Sequence, residues 1–260
     1  MKIAYLGIDI LYPVLRSVLR EGCEIVKIFT CPTDNVTEFN TAVLGTARSH
    51  NIPYTCEKIT SDDIERLQSD GCDLLLCAGY YYRAPISDTM PMVNFHPSPL
   101  PLGRGAWPMP IILLKGLTYG GITAHKMDRD FDTGDILLRE TFPIRKGETL
   151  KSYMEQVYGR IPEMVHRLVT ELPALLSQAY PQGEGEYWPC PTESDWTVTP
   201  DMDAEKADRV LRAFYGYECI YRSGDTSTEL IGGRVVFGDN TGRPFPVSGG
   251  YILAERIRKL

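Results

Sequence analysis

The 260-residue sequence has no apolar run approaching the roughly 18 to 20 residues that a membrane helix requires, so an integral membrane protein is not expected. It has no CxxC pair. Its seven cysteines, Cys23, Cys31, Cys56, Cys72, Cys77, Cys190 and Cys219, are odd in number and scattered through apolar segments, which reads as reduced, mostly buried thiols and not as a disulfide framework or a metal site. After the first apolar run the chain reads GIDILYP, without GxGxxG, and no GxxxxGKS/T occurs anywhere; dinucleotide and P-loop chemistry are therefore not expected. The four histidines, His50, His96, His125 and His166, lack HExxH or comparable spacing, and there is no GxSxG elbow, so no metal is expected and serine hydrolysis is set aside. Positive charge is also scarce, with 27 Lys and Arg against 34 Asp and Glu and a net charge of -7. No stretch concentrates it, so long nucleic acid is a poor partner. The opening MKIAYLGIDI has one lysine, an apolar run broken by Gly7 and Asp9, and no small-residue cleavage site, from which a cytoplasmic location is expected.

What is present is an ordinary globular composition, 43% hydrophobic and 23% charged, in a chain long enough to bury a substantial core. KIAYLG, EIVKIFT and DLLLCAG read as strands. Between them lie helical stretches: the segment carrying Leu11, Leu15, Val18 and Leu19, then EFNTAVLGTARSH, then SDDIERLQSD with Ser61 as its N-cap. This alternation predicts an α/β fold, a doubly wound and mostly parallel sheet with ligands at the carboxyl ends of its strands. After residue 90 a short strand, MVNFH, runs into the proline- and glycine-rich loop PSPLPLGRGAWPMP. IILLKG resumes a helix, GITAHKM and DILLRETFPI are two strands joined by DRDFDTG, and Thr149 caps a long helix with Leu150, Tyr153, Val157, Ile161, Val165, Leu168 and Leu172 on its apolar side.

The stretch PQGEGEYWPCPTE lacks apolar periodicity. It divides a catalytic domain, 1–180, from an accessory one, 194–260, with 181–193 as the linker. The accessory part holds one helix and several short strands and is expected to be a small mixed or β-rich subdomain.

Asn94 and His96 are one residue apart on a strand and point the same way, while Pro97, Pro99 and Pro101 stiffen its exit. The Leu100–Pro101 bond is expected to be cis, as dense prolines in a tight loop permit. Asp132 lies in the turn DFDTGD. An Asn, a His and an Asp converging at a sheet edge suit stabilisation of an oxyanion and movement of a proton, although singly each suits a structural role as well.

NFHPSPLPLGRGAWP followed by GITAHKMDRDFDTGDIL resembles the signature of the folate-dependent formyltransferases, a family acting on methionyl-tRNA, glycinamide ribonucleotide and amino sugars. The match covers about residues 1–178 and is densest over 94–138. It implies that 10-formyltetrahydrofolate, as co-substrate, gives its formyl group to an amine through a tetrahedral adduct. The oxyanion would be stabilised by Asn94 and a protonated His96, with Asp132 keeping that imidazole charged and helping to move the amine's proton. The family's folate pocket is walled by the strand end LLLCAGYYYR and the loop before the Asp-Thr-Gly turn, so Leu76, Ala78, Gly79 and Asp128 are candidate folate contacts. His125 is a candidate supporting partner or a core histidine. Arg104 is a candidate for a phosphate or carboxylate of the acceptor, Trp107 for stacking on it or for capping the next helix, and Tyr80, with Tyr81 and Tyr82, for the pocket wall.

Two departures bear on the acceptor. The glycine-rich phosphate loop of the purine-pathway members is missing, and residues 181–260 hold nine Lys or Arg against thirteen Asp or Glu, where members acting on methionyl-tRNA carry a larger, basic barrel. A small-molecule amine acceptor follows, with a nucleotide-linked amino sugar preferred, its diphosphate met by a few donors such as Arg104 or Lys115 and its base or sugar by Tyr80, Trp107, Trp188 or Trp196. The alternatives are a methionyl-tRNA acceptor, hydrolysis of formyltetrahydrofolate, and a non-catalytic folate-binding module. Hydrolases with this core usually carry an N-terminal regulatory domain, whereas here the core begins at Met1. A homodimer is the assembly allowed for.

Overall fold

The computed structural model describes residues 1–259. In chain order its strands and helices begin with β1 (Lys2–Gly7), α1 (Tyr12–Arg20), β2 (Glu24–Phe29), α2 (Thr41–Ser49), β3 (Tyr54–Thr55), α3 (Ser61–Ser69), β4 (Leu74–Ala78) and β5 (Met92–His96). They continue with α4 (Pro108–Leu114), β6 (Tyr119–Lys126), β7 (Ile136–Pro143) and α5 (Leu150–Gln178). The last part holds β8 (Thr197–Val198), α6 (Ala204–Ala213), β9 (Glu218–Ser223), β10 (Thr226–Phe237), β11 (Pro246–Val247) and β12 (Gly250–Lys259).

β1 to β7 form one seven-stranded sheet in the order β3-β2-β1-β4-β5-β6-β7. The pairs from β3 to β5 are parallel, and β6 turns antiparallel to β5. The α/β, mostly parallel reading of the sequence is the observed fold. Central parallel strands covered on both faces need apolar side chains at every position; in β4 all of Leu74, Leu75, Leu76, Cys77 and Ala78 are buried. β3 was not legible as a strand, because two residues beside Pro53 carry no periodicity. α3 starts one residue earlier than expected: Thr60, not Ser61, is the N-cap. Thr60 has extended backbone and accepts from the Asp63 N–H, while the Asp63 carboxylate reaches back to the Thr60 N–H. The apolar side of α5, from Leu150 through Leu172, is buried as its spacing predicts, and the helix continues through Pro162 and Pro173.

The chain forms two compact units. One comprises Met1–Arg104, Gly121–Thr141 and Val157–Tyr187; the other comprises Gly105–Gly120, Phe142–Gln156 and the residues from Trp188 on. The second unit holds the five-stranded sheet β11-β12-β10-β9-β8 with α6 and α4 packed together, so the β-rich character expected of the accessory part is present. The units interleave along the chain, since 105–120 and 142–156 join the tail. Among the described residues, no helix is long and apolar enough to cross a membrane.

Candidate active site

β5 lies inside the sheet, and its two neighbours decide what surrounds Asn94 and His96. β4 sets Cys77 beside Asn94. Antiparallel β6 sets His125 opposite Asn94 and Thr123 opposite His96, and opposed residues of such a pair share a face. The turn between β6 and β7 then folds back over that face. Asp132 takes φ 57°, a left-handed conformation that Asp tolerates better than most residues. Any side chain at Gly134 would run into the Lys126 carbonyl, so only glycine lets the turn approach β6 this closely.

The outcome is one carboxylate oxygen facing three nitrogens. Asp132 Oδ1 lies 3.2 Å from Asn94 Nδ2, 3.5 Å from His96 Nδ1 and 3.4 Å from His125 Nε2. The side chains of His96, Asp132 and His125 are 6%, 9% and 2% exposed, so the low surrounding polarity strengthens each interaction. Each imidazole has its far nitrogen on a carbonyl, which can only accept. His96 Nε2–H donates to Gly103 O at 2.7 Å, and His125 Nδ1–H donates to Lys126 O at 2.7 Å. In the neutral state both rings therefore present a bare nitrogen toward Asp132. Asn94 relieves the His125 side by donating one amide hydrogen to Asp132 and the other to His125 Nε2 at 3.1 Å.

Burial holds the His96 pKa below its ordinary 6.5, with His125 adding to that effect and the Asp132 charge and the Gly103 carbonyl opposing it. Desolvation thus outweighs the carboxylate and favours the neutral imidazole. Cys77 is no nucleophile, since burial pushes its thiol up to about 12.

Leu76 and Ala78 are fully buried in β4. Gly79 follows with φ 76°, and a side chain there would strike Ile10. Asp128 is exposed at the start of the turn, its carboxylate accepting from the Arg129 N–H. The β4 exit and the turn meet where the Arg83 guanidinium lies 4.9 Å from the Phe131 ring centre. Tyr80 is a correction to the sequence reading: its ring is in the core and its hydroxyl accepts from the Ile59 N–H, whereas Tyr81 and Tyr82 are exposed and have rings to offer. Arg104 donates to Gln182 and to the Gly183 carbonyl. Trp107 precedes α4 as its N-cap residue, without a side-chain cap bond, and sets its ring edge-on to Phe214 and Tyr217. Lys115 lies over the Trp188 ring at 5.3 Å, and Trp196 packs on Phe214.

Three residues escaped the sequence reading. Thr123 accepts from the Leu100 N–H and donates to the Ser98 carbonyl, and Ser98 donates to the carbonyls of Leu102 and Gly103. Together they set the path of the proline loop, whose Leu100–Pro101 bond is cis as expected. The third is Gln182, which donates to the carbonyls of Asp132 and Gly134. The alternation of β6 could have flagged Thr123 beside His125; nothing local points to Gln182.

The profile of the formyl transferase family matches residues 40–169, half of the chain and all three of Asn94, His96 and Asp132. A methionyl-tRNA formyltransferase of Anaplasma marginale is 25% identical over 99% of this chain and 91% of its own length. Among solved structures, HypX from Aquifex aeolicus in complex with tetrahydrofolic acid superposes with a TM-score of 0.75 at 17% identity, covering 100% of this chain and 44% of HypX. A sugar N-formyltransferase from Shewanella superposes with a TM-score of 0.65 at 16% identity, covering 86% of this chain and 94% of that one.

Proposed function

This chain belongs to the formyl transferase family and is a formyl-transferring enzyme; we propose that it uses formyl-tetrahydrofolate and is an N-formyltransferase with Asn94, His96 and Asp132 as its catalytic residues and a small amine as acceptor, a nucleotide-linked amino sugar in preference. The observation that carries the catalytic assignment is the single Asp132 oxygen faced by nitrogens from β5 and β6 in a buried setting.

The residues present suit the donor. Gly79, bare of a side chain in its left-handed turn, the exposed rings of Tyr81 and Tyr82, and the Arg83–Phe131 contact give backbone and aromatic surface for a flat, polar ring system. Leu76, Ala78, Gly79 and Asp128 are the residues proposed to hold it. When bound, the donor supplies an electrophilic formyl carbon. The chain's part is to receive the acceptor's proton and to donate to the formyl oxygen as it gains charge. His96 has its tautomer set by Gly103, so its Nδ1 and Asp132 Oδ1 make a two-site acceptor for the amine's proton. The Asn94 amide, here turned to Asp132 and His125, swings one hydrogen to the formyl oxygen, a donation worth about two to three orders of magnitude in rate.

The acceptor reading is supported by the acidic balance beyond residue 181, nine Lys or Arg against thirteen Asp or Glu, which disfavours a polyanion, and by the likeness to a sugar N-formyltransferase. The name of the Anaplasma relative favours methionyl-tRNA as the second reading. The test is tetrahydrofolate release from 10-formyltetrahydrofolate with nucleotide-linked amino sugars, charged methionyl-tRNA, free amino acids, or no amine. Sugars are expected to give the fastest release. Faster release with methionyl-tRNA overturns the acceptor, and release equally fast without an amine makes the protein a hydrolase.

A further inference from the structure

The segment following α5 looks like a linker by composition, yet it crosses the loops around His96. Tyr180 exchanges two backbone hydrogen bonds with Ile136, at 2.9 and 3.2 Å, just past the Asp132 turn. Gln182 then uses its whole amide. Nε2 donates to the carbonyls of Asp132 at 2.9 Å and Gly134 at 2.6 Å, and Oε1 accepts from Arg104 Nε at 3.2 Å and Nη2 at 3.1 Å. Arg104 also donates to the Gly183 carbonyl at 2.9 Å, and a side chain on Gly185 would meet the Pro101 carbonyl at 2.5 Å. Gln182 is thus tied to the Asp132 turn on one side and, through Arg104, to the proline loop on the other.

Those two loops grip the two nitrogens of His96. Gly103, next to Arg104, holds Nε2, and Asp132 faces Nδ1. We infer that Gln182 is a positioning residue for formyl transfer: it sets the separation of the two loops and thereby the distance of the Asp132 carboxylate from His96, with Arg104 as its buttress. The physical need is specific. Asp132 has a left-handed backbone that strand pairing does not maintain, and its contacts to the two histidines, at 3.5 and 3.4 Å, are long, so a small movement of the turn changes both. An amide in this place supplies two donors and an acceptor at once. Arg104, a candidate for the acceptor's phosphate from sequence, serves the strap in this account. The inference rests on the proposed catalytic role of Asp132.

The experiment uses the full chain and four variants: Gln182→Ala, Gln182→Glu, Asp132→Asn, and the Gln182→Ala/Asp132→Asn pair. Gln182→Ala is expected to lower kcat about tenfold, as for a displaced catalytic group, with both KM values within about twofold. Gln182→Glu keeps the Arg104 link and loses both donations to the turn, so it is expected to fall as far. The readout that a merely structural role would not move is the His96 titration, followed by NMR of labelled imidazole. The charged or titratable groups facing that ring are Asp132 from the turn and His125 from β6, and the Gly103 carbonyl holds its far nitrogen. With Asp132 displaced, the His96 pKa is expected to move further down in Gln182→Ala. In the Asp132→Asn background, removing Gln182 is expected to change kcat by less than about twofold, because residues acting as a unit are not additive. With the large loss in Asp132→Asn retained, wild-type kcat with an unmoved His96 titration in Gln182→Ala overturns the inference, as does full additivity in the pair. Wild-type activity in Asp132→Asn overturns the catalytic assignment itself.

Discussion

Each unit contains a carboxylate set against nitrogen donors, and the two clusters are built differently. In the first unit Asp132 is surrounded by Asn94, His96 and His125 at 3.2 to 3.5 Å. In the second, Glu229 is buried on β10 directly across from Arg258 on β12, bonded to it through Nη2 at 2.8 Å, while Arg258 also reaches Glu218 on β9 at 3.1 Å. A permanent cation donates to Glu229 Oε1, and Glu218, hydrogen-bonded to Glu229, has its pKa raised. In the Asp132 cluster the nitrogens belong to an amide and two imidazoles, groups that can release one contact for another. Long, exchangeable contacts in a dry place suit a site that must accept a substrate; short contacts to a fixed charge suit a sheet that must hold its register.

The comparison breaks first on activity. Asp132→Asn or His96→Ala is expected to lower kcat/KM by about two to three orders of magnitude while cooperative unfolding persists, as steady-state kinetics and thermal denaturation will measure. Arg258→Met should do the reverse, lowering the thermal midpoint by about 2–4 °C with kcat unchanged. A loss of activity in Arg258→Met, or of folding in His96→Ala, would dissolve the distinction between the two clusters.

pH sharpens it. His96 has a folded pKa below 6.5, so above the unfolded value its contribution to stability is fully present, and it is lost as pH falls through the folded value. Stability is expected to decline below pH 6.5, and part of that slope should vanish in His96→Ala in denaturant titrations across pH. The same ring sets the acid limb of kcat/KM, which is expected to lie below pH 6.5 because the neutral imidazole is the proton acceptor. A limb above 6.5 would mean that the charged ring is at rest in the site. The smallest effect tests the aromatic wall: Tyr80→Phe removes the bond to the Ile59 N–H and should cost about 1 kcal/mol of stability with KM for the donor unchanged.

By itself the sequence determined the alternation of strands and helices, the buried side of α5, the pairing of Asn94 with His96 on one face of β5, and the family motif around Asp132. These are local: periodicity states which side chains are buried, and spacing along a strand states which point together. Only the tertiary structure decided that β6 runs antiparallel and sets His125 opposite Asn94, that Gly103 fixes the His96 tautomer, and that burial outweighs Asp132 in setting its charge. It also decided that Tyr80 turns inward while Tyr81 and Tyr82 stay exposed, and that Gln182, 50 residues beyond Asp132, holds its turn. Strand register, desolvation and the hydrogen bonds of distant backbone depend on what the rest of the chain places alongside, and no window of sequence contains that neighbour.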